Sequence, residues 1–274
     1  MRLRHIAREV AANAAMGIPA IRAARLRRAR TITEDAVAQA KAVVSQFDFF
    51  CRSIGSVHGK TILEIGAGDT VALAPLFIGA GAERYVVIDR FLGAIDGQAA
   101  NGIYSELERI AFVPREWWGK LSIHRTSIEN AAPAHLGEVD VIVSFNVLEH
   151  LSDLSAAFEQ MAKFLKHDGM MVHRIDYGPH DVWQSCENPL EFLTVPDWLW
   201  SLMGRNRGYP NRVRHGEVLR MLIDAGFVTH ASIGQTAQSA DVQRVKRRLS
   251  RSLSGCSEEE LAVLDAELVS KRRC

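Results

Sequence analysis

His150, Asp176 and His180 are the side chains of this sequence best placed to move a proton near neutral pH. A histidine titrates close to neutrality, and a carboxylate beside it can hold its ring in one orientation. Each of the three stands just after an apolar run: His150 closes Phe145-Asn-Val-Leu-Glu-His150, and Asp176 and His180 follow Met170-Met-Val-His-Arg-Ile175. In open α/β sheets, ligands sit beyond the carboxyl ends of such strands. That placement sets Asp176 and His180 ahead of His173, which alternates with Ile175 inside its run and reads as a side chain pointing into a helix layer. His150 reads equally well as a helix-start histidine bonded to backbone. Asp176, His180 and His150 could also gather around a divalent ion, but such spacing arises readily by chance and no metal is assigned.

A second constellation suits ligand binding rather than proton transfer. The run Thr61-Ile-Leu-Glu-Ile-Gly-Ala-Gly-Asp-Thr70 reads as a buried parallel strand followed by a tight turn. Gly66 and Gly68 allow positive φ and a close backbone approach by a ligand. The next apolar run, 85–89, ends in Asp89, near the ~20-residue offset at which an acid in a βαβ unit reaches ribose hydroxyls. A dinucleotide fingerprint also wants a third glycine, three residues after the second, and Val71 stands there. That departure disfavours a nicotinamide-dependent reductase.

These groups need elements to hold them. Strands are expected at 61–65, 85–89, 121–125, 139–145 and 170–175, alternating with helices at 70–80, 101–112 and 152–166. Asp69 or Thr70 would cap the first of these helices and Ser152 or Asp153 the last. Pro75 fits only if its helix starts close to it. Trp117 and Trp118 read as a hydrophobic clasp or a pocket wall. Residues 176–214, aromatic and punctuated by Pro179, Pro189, Pro196 and Pro210, break the alternation and suggest a structureless cap over a substrate. A helix at 215–225 stopped by Gly226, a strand at 227–233, a short basic helix within 244–253, a helix capped at Ser257 and a last strand at 266–271 complete the chain. At the other end, residues 1–30 form a helical arm rich in arginine. A better helix follows from Thr33 to about residue 54.

Composition is that of an ordinary globular protein: 274 residues, 47% hydrophobic, 24% charged, net charge +1. The balance hides two basic clusters, Arg2 to Arg30 and Arg244 to Arg251, of which the first reads as a solvated arm rather than a nucleic-acid tail, since no aromatics are interleaved. Cys51, Cys186, Cys256 and Cys274 show no metal-site spacing and read as scattered reduced thiols, which suits a cytoplasmic protein. No apolar run approaches the ~20 residues that span a bilayer. The apolar stretch 10–21 is interrupted by Asn13, Gly17 and Pro19 and is not expected to direct export.

Taken together, the motifs resemble the class I S-adenosylmethionine-dependent methyltransferases. Those that carry the resemblance are Leu63-Glu-Ile-Gly-Ala-Gly68, Val86-Val-Ile-Asp89, Thr126-Ser-Ile-Glu129, the run from Val139 to His150, and Leu165-Lys-His-Asp-Gly169. They fall in family order over residues 60–175. The resemblance implies an α/β fold: a doubly wound, mostly parallel seven-stranded Rossmann-like sheet whose last strand is antiparallel and inserted between strands five and six. It implies S-adenosyl-L-methionine as cofactor, with the backbone of Gly66, Ala67 and Gly68 passing against it and Glu64 near its methionine end. Asp89 would hold the ribose, with Arg90 beside it. Ser127 and Ile128 would edge the adenine, and Asn146 and Val147 would flank the methionine moiety. Many relatives carry an acid where Ser127 stands, which leaves Glu129 as the other adenine partner. The expected organisation is a helical arm or cap at 1–55 and a catalytic domain at 56–274 with the 176–214 insertion. The expected activity is O-methylation of a small molecule or glycan, with His150, Asp176 and His180 as the catalytic groups. The alternatives are an RNA or protein methyltransferase using the basic arm, or a cofactor-binding protein without catalysis.

Overall fold

The structure, a computed structural model, describes residues 3–26, 35–93, 95–111, 113–132 and 136–273. Among them β1 (Thr61–Ile65), β2 (Arg84–Ile88), β3 (Leu121–His124), β4 (Val139–Phe145), β5 (Leu165–Asp176), β6 (Phe227–Thr236) and β7 (Val263–Arg272) form one sheet in the order β3-β2-β1-β4-β5-β7-β6. The first five strands pair in parallel, and β7 runs antiparallel between β5 and β6. This is the doubly wound sheet the motifs imply, including the inserted last strand. Helices α1 (Leu3–Met16), α2 (Pro19–Leu26), α3 (Ala36–Ile54), α4 (Leu73–Gly79), α5 (Gln98–Ala111), α6 (Leu154–Phe164), α7 (Asp197–Gly204), α8 (His215–Asp224), α9 (Ser239–Lys246) and α10 (Glu258–Ala262) flank it.

Strand alternation divides the core into two layers. Ile62, Tyr85, Val87, Val141, Val143 and Val172 face α3, α4 and α5. Leu63, Ile65, Val86, Ile142 and Met171 face α6 and α8. Both faces are covered, which is why these strands read as unbroken apolar runs. Within residues 1–55, α3 buries Ala40, Phe50 and Ile54 in the first layer, whereas α1 packs on α7. Residues 27–34, with Arg27, Arg28 and Arg30 of the basic arm and the expected start at Thr33, lie outside the described residues.

Local chemistry sets the element ends. Asp35 caps α3 by accepting from the Ala38 N–H at 2.9 Å, and Asp153 caps α6 through Ala156 at 3.0 Å. Ser257 and Glu260 form a capping box at α10. α4 starts later than expected: its N-cap is Ala72, without a side-chain bond, so neither Asp69 nor Thr70 caps it. The later start places Pro75 in the first turn, where a missing N–H leaves no intrahelical bond broken. β5 begins at Leu165, and the expected turn at Asp168 and Gly169 is an irregularity inside the strand, between the Val139–Leu165 and Val141–Met170 pairs.

The insertion is more ordered than its composition suggests. It contains α7 and short 3-10 turns at Asp181–Ser185 and Glu191–Thr194. Trp183, Phe192, Trp200 and Tyr209 pack with Val242, Val245 and Leu261 into a third core, against which Ile6 and Val10 of α1 rest. The Asn13 amide donates to the Leu202 carbonyl at 2.9 Å and its oxygen accepts from the Asn206 N–H at 2.7 Å. Arg207 pairs with the buried Glu9. Trp117 and Trp118 stack at 3.9 Å beside Tyr104, a clasp outside the site described next.

Candidate active site

The turn after β1 is shaped by two glycines at positive φ, Gly66 at 76° and Gly68 at 75°. A Cβ on Gly66 would fall 2.5 Å from both methyls of Val147, so the two strand ends meet there with no room for a side chain. Asp89 follows β2 and ties the turn down: its Oδ2 accepts from the Gly68 N–H at 2.7 Å and its Oδ1 from the Phe91 N–H. At the end of β4, Asn146 adopts φ of 56°, unusual for a residue with a side chain. Its N–H donates to the Arg174 carbonyl at 2.9 Å, and its Oδ1 is buried without a hydrogen bond.

These turns open onto one cavity of about 570 Å³, within the range of small-molecule sites. Gly66, Gly68, Asp89 and Arg90 line one side, Ser127, Ile128 and Glu129 a second, and Asn146 and Val147 the floor. His150, His180, Asp181, Arg205, Arg207 and Tyr209 close it from the insertion side, with Met16 of α1. Three of the residues singled out from sequence do not line it. Glu64 is buried behind the turn, accepting from the Tyr85 hydroxyl at 3.0 Å. Ala67 packs toward the core. Asp176 stands behind His180, its Oδ2 3.5 Å from His180 Nε2, and its Oδ1 accepts from the Gly178 N–H. His173 is wholly buried and bonded to Ser144 at 2.7 Å, away from the cavity.

Residues 34–231 match the family model of a methyltransferase domain. The chain belongs to that family. It is a class I methyltransferase with S-adenosylmethionine as cofactor, and the residues present fit that group: open space where a Cβ on Gly68 would stand, an acid bonded to the glycine turn, and an unsatisfied buried amide oxygen on Asn146 in the same cavity. Val71 is fully buried and its N–H donates to the Tyr104 hydroxyl at 3.2 Å, so the position where a dinucleotide site needs glycine belongs to the core. Among solved structures, the methyltransferase is similar to the YcgJ protein of Bacillus subtilis, at 15% identity over 84% of this chain and 100% of that one, with a TM-score of 0.47. An S-adenosylmethionine-dependent methyltransferase of Mesorhizobium loti gives 14%, 83%, 98% and 0.47. The magnesium protoporphyrin IX methyltransferase of Synechocystis gives 12%, 92%, 90% and 0.46. No curated protein matches significantly.

Several groups that shape the methyltransferase's site have no local sequence signal. Asn211 clamps the turn after β4: its amide donates to the carbonyls of Leu148 at 2.9 Å and Leu151 at 3.1 Å, and its N–H to that of Glu149 at 2.6 Å. The Gly208 carbonyl lies 2.7 Å from His150 Nδ1. A carbonyl only accepts, so Nδ1 carries the proton and Nε2 keeps its lone pair. Burial, with His180 nearby, holds the His150 pKa down at about 4, so this imidazole is neutral at pH 7. The His150 and His180 rings meet edge to face at 5.0 Å. Glu149, inside the same turn, has no well-formed hydrogen bond to either carboxylate oxygen, and burial lifts its pKa to about 8.

Glu64 carries a testable pH signature. Burial raises its pKa to about 8 against a partial opposing effect of the Tyr85 hydroxyl. The folded state therefore keeps a proton that the unfolded chain sheds above its ordinary pKa. The group's contribution to stability is fully present below that value and is withdrawn as pH climbs toward 8. Glu64→Gln mimics the protonated form, so the ligand-free variant should be more stable than wild type at pH 8 by roughly 2 kcal/mol or more, the two converging near pH 4.5. Urea unfolding at both pH values reads this directly, and equal stability at pH 8 would contradict it.

Proposed function

We propose that this methyltransferase transfers a methyl group to a hydroxyl of a compact acceptor, a small molecule or glycan, in the cytoplasm. The observation that supports this is the sharing of one cavity by the Gly66 and Gly68 turn and the His150 and His180 edge. Asp89 would hold the ribose hydroxyls, Ser127 and Ile128 the adenine edge, and Asn146 the methionine end, with Glu64 supporting the turn from behind. When bound, the cofactor supplies a methyl whose carbon takes the acceptor oxygen's electron pair while the carbon–sulfur pair stays on sulfur, so a hydroxyl acceptor must shed one proton.

The chain's own residues answer that need. His150, with its Nε2 lone pair free, and His180 present their rings at the cavity wall, and Asp176 stands 3.5 Å from His180 Nε2. We assign the cap to α1 and the 176–214 insertion, which border the cavity at Met16, His180, Arg205 and Tyr209 and would exclude water that competes for the methyl. Arg205, on the insertion side of the wall, suits an acceptor carrying an acidic group. Among the described residues no helix is long and apolar enough to cross a membrane, and Cys51, Cys186 and Cys256 are free thiols.

His180→Ala should leave cofactor affinity within a factor of about two and lower turnover about 100-fold, the span of a lost proton-transfer group. Calorimetry with S-adenosylhomocysteine and product formation over a panel of hydroxylated acids measure the two. An unchanged rate would remove the histidine edge from the reaction, and methylation of amines alone would overturn the hydroxyl assignment.

A further inference from the structure

We infer that Glu149, His150 and His180 form a binding site for one divalent first-row transition cation in the cavity wall. One ligand atom from each of the three lies within 4.8 Å of the others. Ligands of a tetrahedral ion, each about 2.1 Å away, stand about 3.4 Å apart, so side-chain rotations of roughly an ångström at each ligand atom close the set. Glu149 is the deciding member. The residue is only 4% exposed, and the N–H groups of Glu149 and Asp176 approach its carboxylate without a hydrogen bond of good geometry to either oxygen, whereas buried carboxylates are otherwise paired, well hydrogen-bonded or ligating. His180 Nε2 is likewise buried without a hydrogen bond, close to Asp176.

The surroundings are arranged as those of a metal site are. The Gly208 carbonyl takes the Nδ1 proton of His150 and leaves Nε2 as the donor lone pair, the usual outer support of a ligating imidazole. Asn211 fixes the turn that carries two of the ligands from both sides. Two imidazoles and one carboxylate select a transition cation over magnesium or calcium and leave positions open to the cavity. What the ion does there rests on the proposed methyl transfer to a hydroxyl. With the ion bound, His150 and His180 would serve as its ligands and the cation would take over their part: an acceptor hydroxyl at an open position would give up its proton to water as it enters, before the cap excludes water, and its oxygen would stay anionic next to the cation until it takes the methyl.

The test uses the full chain, stripped with a chelator and titrated with Zn²⁺ by calorimetry and with Co²⁺ by visible absorption. Wild type should bind one ion per chain, and Glu149→Gln and His180→Ala should each weaken it about 100-fold. Asp89→Ala should keep the ion while losing S-adenosylhomocysteine. No stoichiometric ion in wild type, or equal affinity in Glu149→Gln, overturns the site. The isosteric Glu149→Gln decides should His180→Ala fail to fold. Ion binding by a wild type that takes no S-adenosylhomocysteine supports the site and sinks the methyl-transfer reading instead.

Discussion

Asp89→Ala should weaken S-adenosylmethionine binding by two to three orders of magnitude, since the two charge-assisted hydrogen bonds proposed to the ribose hydroxyls would contribute about 1.5–3 kcal/mol each and be only partly replaced by water. The same carboxylate accepts from the Gly68 and Phe91 N–H groups, so alanine also releases the glycine turn that the cofactor lies against. Asp89→Asn separates the two effects. It keeps one oxygen to accept from the turn but lacks the charge and the second acceptor, and its affinity should fall between those of wild type and alanine. Calorimetry with S-adenosylhomocysteine, alongside a thermal melt of the ligand-free variants, measures both. Equal affinity in Asp89→Ala would mean that the acid serves the turn alone and that the ribose is held elsewhere.

The turn, the acid and the strands were legible because each is written in a few adjacent residues. Val139–Phe145 is apolar and β-branched, covered on both faces, and its bounds follow from that alone. The start of α4 was not legible, because Asp69 and Thr70 have capping side chains yet the chain runs past them to Ala72. The 176–214 insertion reads as structureless because its prolines and scattered tryptophans follow no period. Its order comes from packing against α1, α9 and α10, distant in sequence. The same distance hid half of the site. His150 and His180 were visible as titratable residues beyond strand ends, but the bond from His150 to Gly208 and the Asn211 clamp join segments some sixty residues apart. Glu149 lay inside a recognised motif, and only its burial and poorly satisfied oxygens in three dimensions distinguish it from a solvated acid.

Arg214→Ala should cost about 4 kcal/mol or more of folding stability, near the top of what single substitutions do. The side chain is 1% exposed and its guanidinium donates to three carbonyls, Tyr177 at 2.8 Å, Leu261 at 3.0 Å and Val263. Each acceptor left unsatisfied costs about 1–3 kcal/mol, and the vacated volume adds a cavity. Against this stands the relief of a buried charge, whose desolvation already draws the arginine down to about 10 while leaving it cationic at pH 7. Three carbonyls and a cavity outweigh it, because replacing the guanidinium leaves every acceptor in place. Arg214→Met fills the volume without donating and should recover only the cavity portion, so the urea midpoints should rank wild type, methionine, alanine at a constant slope. A methionine variant as stable as wild type would show that the guanidinium acts by volume alone. The functional consequence follows from where the three carbonyls lie. They belong to the end of β5, α10 and the start of β7, and Arg214 ties residues 208–215 to them. That segment carries the Gly208 carbonyl and the Asn211 amide, so loosening it should lower turnover through His150 while cofactor affinity, which we assign to the Asp89 side of the cavity, stays nearly unchanged.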